Sequence, residues 1–388
     1  MPRNVYTLTR FALTALPCCL VVALAACRMR AGGSEQLVIP EVVRANLYVS
    51  PSGNDSNPGT ADEPFRTIMR AAQVVTPGTT VHVAPGVYTG GFKTTANGSM
   101  EARIIYESTE RWGAKIVPPL NSGSSTAWQN RGNYVDIVGF EVDGSQYQGG
   151  AKWLGGIYNG GSYVAIRNNQ VHHIANDVPC ESSGGAGIGV DGYYRGVKSE
   201  VTGNSVHDIG PDNCRFIHGI YISTSATVRS NIVFRISGAG IHLWHDANNV
   251  LIAGNTVTGS ETGIVVGGGD YYHTQGPNDR TQVLNNIVYD NRSGIVEQGN
   301  TGKHNSFRNN LVYQNNGADW RLSEGMSHSG TIAAAPGFVA YDRKGTSDFR
   351  PGAKSPAVGK GVRAADGADQ DFEGKVRGQS IDIGAVQH

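Results

Sequence analysis

Histidine, tyrosine, tryptophan and aspartate crowd one stretch of this sequence, between Tyr158 and Asp246, and their types suit work on a sugar chain. An imidazole takes or gives a proton near neutral pH. A tyrosine or tryptophan offers an apolar face to a pyranose ring and a polar tip to its hydroxyls. β-Elimination along a uronate chain needs a base for the C5 proton, an acid for the leaving oxygen, and a group that neutralises the carboxylate. His242 or His245 would serve as the base and Tyr221 as the acid. Neutralisation would fall to an arginine, Arg195 or Arg215, or to a Ca2+ ion held by Asp191 and Asp246. Hydrolysis would instead require two carboxylates about 5 to 9.5 Å apart, a role open to Asp191 and Asp246. A protein that only binds its polysaccharide would need the aromatics alone, Trp244 and Tyr158 above all.

A repeat positions these residues. A Gly-Ile pair opens a short apolar strand at Gly156-Ile157, Gly187-Ile188, Gly219-Ile220, Gly240-Ile241, Gly263-Ile264 and Gly294-Ile295. Each is followed by an asparagine (Asn169, Asn204, Asn231, Asn255, Asn286, Asn310) and, two residues on, a valine (Val171, Val206, Val233, Val257, Val288, Val312). Short strands with one apolar face, closed by turns, stack coil on coil as parallel sheets. The isoleucines would point inward, and the asparagines would hydrogen-bond to their equivalents above and below. The expected fold is all-β: a right-handed parallel β-helix with an N-terminal helical cap and a C-terminal capping tail.

Strand alternation then sends two columns outward. The first is Tyr158, Gly189, Tyr221, His242, Val265, Val296; the second is Gly160, Asp191, Ser223, Trp244, Gly267, Gln298. Coils about 4.8 Å apart bring Tyr221 and His242 into contact. Trp244 lies beside them, His245 and Asp246 close the strand, and His218 opens the Tyr221 strand. Glu297 falls in the inward column, either as a buried acid or turned outward by an early strand end. Loops 175–186 and 210–218 would wall one side of a cleft, with a disulfide between Cys180 and Cys214 bracing it. Loops 191–199 and 267–281 would wall the other.

The chain opens with Arg3, Arg10 and an apolar run from Phe11 to Ala26, the layout of a signal peptide. Its close, Leu24-Ala25-Ala26-Cys27, resembles the lipobox of bacterial lipoproteins, in which the cysteine is acylated and becomes residue one. That resemblance implies a lipid at Cys27 as the only membrane attachment. With Arg28 in place of a retention aspartate, it implies the outer membrane. Export leaves Cys180 and Cys214 in an oxidising compartment. Residues 1–27 are thus a leader, 28–46 a linker, 47–330 the β-helix with its cap, and 331–388 a tail covering the far end. Pro64 to Val75 reads as a short capping helix that buries Ile68, Ala71, Ala72 and Val75, and Val81-His82-Val83 as the start of the first coil. With 32 basic and 32 acidic residues the chain carries no electrostatic case for nucleic acid. The 53 glycines among 388 residues fit a turn-rich solenoid that grows by stacking and is expected to be a monomer.

Near the mature start stand Tyr48-Val49-Ser50-Pro51-Ser52-Gly53-Asn54-Asp55, Asn57-Pro58-Gly59-Thr60 and Pro64-Phe65-Arg66-Thr67-Ile68. They resemble the opening of extracellular β-helix polysaccharide lyases of the alginate lyase, chondroitinase B and pectate lyase types. Ser355-Pro356-Ala357 and Asp382-Ile383-Gly384-Ala385 resemble the C-terminus of bacterial right-handed β-helix proteins in general. The resemblance covers roughly 47 to 388 and implies a polysaccharide partner and lyase chemistry. Those enzymes usually place a lysine or arginine base on the cleft sheet. Here both outward columns lack one, Lys152 and Lys198 lie only in neighbouring loops, and a C5-epimerase with a histidine base fits the same residues. Three other features are read as structural. His172 and His207 form a surface ladder, Gly267-Gly268-Gly269 lacks the lysine of a phosphate loop, and the Asp366 to Asp371 run makes a turn.

Overall fold

The computed structural model describes residues 44–364 and 370–388. The leader, the lipid site expected at Cys27 and almost all of the expected linker lie outside the described residues. So does most of the Asp366 to Asp371 run. Its last member, Asp371, accepts backbone N–H groups from Glu373 and Lys375 and so holds a turn.

Three parallel sheets of eleven, nine and nine strands wind into the expected right-handed parallel β-helix. Each complete coil gives one strand to each sheet, as Ile217–Ile222, Ala226–Arg229 and Ile232–Ile236 do. The repeat's isoleucines pair rung by rung and are fully buried. Its glycines are there for space. A Cβ on Gly187 or Gly219 would sit 2.7 Å from Val206 or Val233, the valine of the same coil. Glycine and valine therefore recur together because each pair shares one slot across the core. The asparagine column also forms as read. From Asn169 to Asn286 each side-chain amide donates to the next asparagine's oxygen at 2.9–3.0 Å and to a backbone carbonyl, ending on Asn310, so a dry turn is satisfied.

At the N-terminal end a short helix, Ile68–Val74, forms inside the stretch read as helical, with the Thr67 hydroxyl accepting from the Arg70 N–H. It buries Ile68 and Ala71, while Ala72 is only partly covered. The first strand is Ala45–Val49, ahead of Val81 and starting in the last two residues of the expected linker; it pairs with Thr79–Val83. The C-terminal tail corrects the expectation that it covers the far end. Instead it runs back along the flank. Gly384 N–H reaches Asn285 O, Ser230 Oγ reaches Gln370 O, and an Arg111 N–H reaches Phe372 O. The reason lies on the second nine-stranded sheet. Ile232, Ile287 and Leu311 occupy the outward position that Gln170, Ser205 and Thr256 hold in other coils. Three apolar side chains facing water need a cover, which Phe349, Ala357, Ile383 and Val386 supply.

Candidate active site

The first outward column stands in the register read from the sequence, Tyr158–Gly189–Tyr221–His242–Val265–Val296. It floors a groove of about 790 Å³ on the other nine-stranded sheet. Ser182, Ser183, Arg215 and Phe216 wall one side, on loops joined by the Cys180–Cys214 disulfide. Asp270 and Tyr272 wall the other. Of the residues singled out by sequence, Tyr158, Asp191, Arg215, His218, Tyr221, His242, Trp244 and His245 line the groove; Arg195 and Asp246 do not.

The hydrogen bonds of its three histidines assign them different work. His218 Nδ1 accepts the Ala239 N–H at 3.2 Å, which leaves the ring proton on Nε2. Burial, and then the neighbouring His242, hold its pKa well below the ordinary value, so it stays neutral. The His242 ring lies 4.1 Å from His218 and 5.8 Å from Trp244. Burial first and His245 second push its pKa down to about 3, and its Nδ1 is buried with no partner. His245 differs from both. Its Nδ1 lies 2.7 Å from the Asp270 carbonyl, and a carbonyl only accepts, so Nδ1 carries a proton and, in the neutral ring, Nε2 holds the lone pair. The ring stacks on Tyr272 at 4.0 Å, on a residue held at φ +50°. Tyr221 lies between, 5.4 Å from His242 and 6.0 Å from His245 by ring centroids. Burial raises its phenol pKa, helped by the negative charge of Asp191 and Asp270, so it keeps its proton.

The carboxylates are the main departure from the sequence reading. Asp191 accepts the Tyr158 hydroxyl at 2.5 Å, the Ser223 hydroxyl at 2.7 Å and the Tyr193 N–H at 3.0 Å. Asp246 accepts from the His273 and Thr274 N–H groups and the Thr274 hydroxyl, holding loop 267–281 in place. Both are occupied by protein donors and they do not face each other across the groove. A Ca2+ site needs six to eight converging oxygens, and this pair does not fit one. The same geometry removes the pair proposed for hydrolysis. Arg195 is exposed on its loop.

Trp244 has a packing role as well, since a Cβ at Gly267 or Gly269 would stand 2.8 or 2.6 Å from its ring. The triple glycine is thus the bed of the indole, whose Nε1 donates to Asp270 at 3.1 Å. Glu297 is the buried acid of the two alternatives, satisfied by Asn305 Nδ2 and the Ser323 N–H. Two groove residues, Asp270 and Tyr272, had no sequence signal beyond loop composition, and neither did Arg131, which lies outside the groove lining but over the Tyr158 ring at 4.8 Å.

Two family models match in succession: a Pel9A-like, right handed beta helix region over residues 47–193, and a right handed beta helix region over 156–331. Pectate lyase L of Dickeya dadantii is 25% identical over 347 residues, 76% of this chain and 78% of that protein. The uncharacterized protein YwoF of Bacillus subtilis is 29% identical over 142 residues, 33% of this chain but only 29% of its own length. Among solved structures, pectate lyase Pel9A superposes with a TM-score of 0.61 at 17% identity, over 89% of this chain and 97% of that one. At that identity it shows the shared fold.

Proposed function

The chain is a pectate lyase-like right-handed β-helix protein, and from that premise we propose that it cleaves a uronate-containing polysaccharide by β-elimination. One observation carries the reading. A histidine with a free Nε2 lone pair, His245, and a phenol that keeps its proton, Tyr221, share the floor of one groove. His245 Nε2 takes the C5 proton, the C4–O bond breaks as the C4=C5 double bond forms, and Tyr221 gives its proton to the leaving oxygen. Arg215 lines the groove and makes no ion pair among the described residues, so its guanidinium is available to the uronate carboxylate. His218 Nε2–H adds a neutral donor. Tyr158, Trp244 and Tyr272 offer ring faces to the sugars. His242 was the alternative base, but a ring so easily kept neutral accepts a proton poorly, and its place is in the stack. Attachment of the protein to the outer membrane through Cys27 belongs to the same reading, and Cys27→Ala would release it from the membrane fraction.

The test is absorbance in the ultraviolet band of an unsaturated uronate. The intact protein is given alginate, pectate or glycosaminoglycans, with and without Ca2+. A rise that disappears in His245→Ala is expected. New reducing ends without a rise would make the protein a hydrolase. Inverted C5 configuration without cleavage would make it an epimerase.

A further inference from the structure

The second nine-stranded sheet carries a histidine cluster that the groove does not use. Asp143 and His172 are cross-strand partners on adjacent coils, and His173 follows at the turn. One ligand atom from each of these three lies within 4.8 Å of the other two. His172 Nδ1 is 2.6 Å from His173 Nδ1 and 3.7 Å from the Asp143 carboxylate. On its far side, His172 Nε2 lies 3.0 Å from Glu141 Oε1. A carboxylate only accepts, so in the neutral ring the proton lies on Nε2 and the Nδ1 lone pair accepts from His173 Nδ1–H, the proton that a bound metal ion would replace. An outer carboxylate that orients a histidine in this way is the usual support of a metal-bound imidazole.

Three further observations point the same way. Asp143 is 4% and His172 8% exposed, so two of the three donors sit below the surface. His173, alone of the three, borders a cavity of about 310 Å³ with Ser145, Tyr147, Lys152 and Asn176, which gives an ion a way in. His173 is also held at φ +55°, a strained conformation for a residue with a side chain, and it turns the ring back toward His172. Lys115 already places one positive charge beside this group, 2.7 Å from Glu141 and 3.6 Å from Asp143.

We propose that Asp143, His172 and His173 bind one divalent transition metal of the zinc class, through the two Nδ1 atoms and the carboxylate, with the fourth position facing the cavity. Two imidazoles and one carboxylate suit Zn2+. Ca2+, which takes oxygen ligands, is poorly served by two nitrogens. The site joins two neighbouring coils and stands apart from the proposed catalytic groove.

The test uses the intact protein, stripped with chelator and titrated with Zn2+ in a calorimeter and with Co2+ by visible absorption. One ion per chain is expected, with the intense ligand-field bands of a low-coordinate Co2+ centre and no competition from Ca2+. His173→Ala and Asp143→Asn, with circular dichroism to confirm folding, should each weaken binding at least about 10-fold. Absence of Zn2+ and Co2+ binding, or binding that both substitutions leave unchanged, would overturn the proposal. So would Ca2+ competing on equal terms. Uronate cleavage is not the readout, so a failure here is separate from a failure of the lyase reading.

Discussion

Two faces of the solenoid carry stacked histidines, and comparing them shows what the repeat decides and what it leaves open. On the ladder face, His172 and His207 lie parallel at 5.0 Å, and Phe234 continues the stack at 4.7 Å. On the groove face, His218, His242 and Trp244 stack at 4.1 and 5.8 Å. The stacking has one cause on both faces, the rung spacing of parallel coils. The partners differ. Each ladder histidine meets a carboxylate: Glu141 for His172 and Asp208 for His207, the latter at 2.6 Å. Burial lowers the His207 pKa, but its bond to Asp208 works against that. In the groove no carboxylate among the described residues hydrogen-bonds to His218, His242 or His245; backbone groups set the protons of His218 and His245. Stacked histidines alone therefore say nothing about chemistry, and the atom facing each ring nitrogen does.

The sharpest way to break this comparison is to remove one ring from each face and measure turnover. His245→Ala should cost about 10²- to 10⁴-fold in kcat, the range of a lost general base, with KM little changed. His207→Ala should leave kcat where it was. Tyr221→Phe should resemble His245→Ala, because it removes the proton for the leaving oxygen and keeps the ring. A loss in His242→Ala as large as in His245→Ala, with substrate affinity intact, would move the base three residues back, onto the strand, and undo the tautomer argument.

A second effect separates the faces by pH. His242 titrates at about 3 when folded, against 6.5 ordinarily. Between those values the unfolded chain binds a proton that the native one refuses, so stability is full above pH 6.5 and drains away as pH falls toward 3. His218, also held well below its ordinary value by burial, adds to the same slope. On the ladder, burial alone would raise the Asp208 carboxyl, but hydrogen bonds from Arg235 and His207 hold it well below its usual range. Its contribution is therefore lost only in stronger acid. Thermal melts between about pH 7 and about pH 4 should show a falling Tm that His242→Gln flattens and Asp208→Asn does not.

Much of this was legible in the sequence because a solenoid repeats its own instructions. The Gly-Ile, asparagine and valine columns fixed the coils, the core and the rungs of both faces, and the second outward column placed Trp244. The tail's path was legible too, in Ile232, Ile287 and Leu311 at a position where other coils carry polar residues, though it was not read. The site was harder. Whether Asp191 and Asp246 are free or occupied depends on loop backbone N–H groups that no period describes. The proton on His245 depends on a carbonyl 25 residues away. His173 and Asp143 escaped notice because a strained turn and a neighbouring coil bring them to His172, neither of which leaves a motif.

The smallest effect expected is on the ladder, and it tests whether that stack is scaffold. His207 lies between two flat rings, His172 on one side and Phe234 at 15° on the other, so a phenylalanine fills its slot. His207→Phe removes two hydrogen bonds, one to Asp208 and one from Gln170 Nε2, each worth about 0.5–1.5 kcal/mol net. Asp208 keeps both bonds from Arg235, at 2.6 and 2.7 Å, so it is not left unpaired. The new ring also buries without the cost of dehydrating an imidazole. These terms oppose each other, and the change in unfolding free energy should stay within about 1 kcal/mol by denaturant titration. Zinc binding at Asp143, His172 and His173 should survive, since His207 is not a ligand. The corresponding change across the solenoid, His218→Phe, keeps the stack but deletes an Nε2–H that faces the groove. It should cost about 1–3 kcal/mol of stability, because the buried Ala239 N–H loses its acceptor, and raise KM for a uronate polymer. If both substitutions proved silent, the groove would be a second ladder, and the contrast between the two faces would collapse.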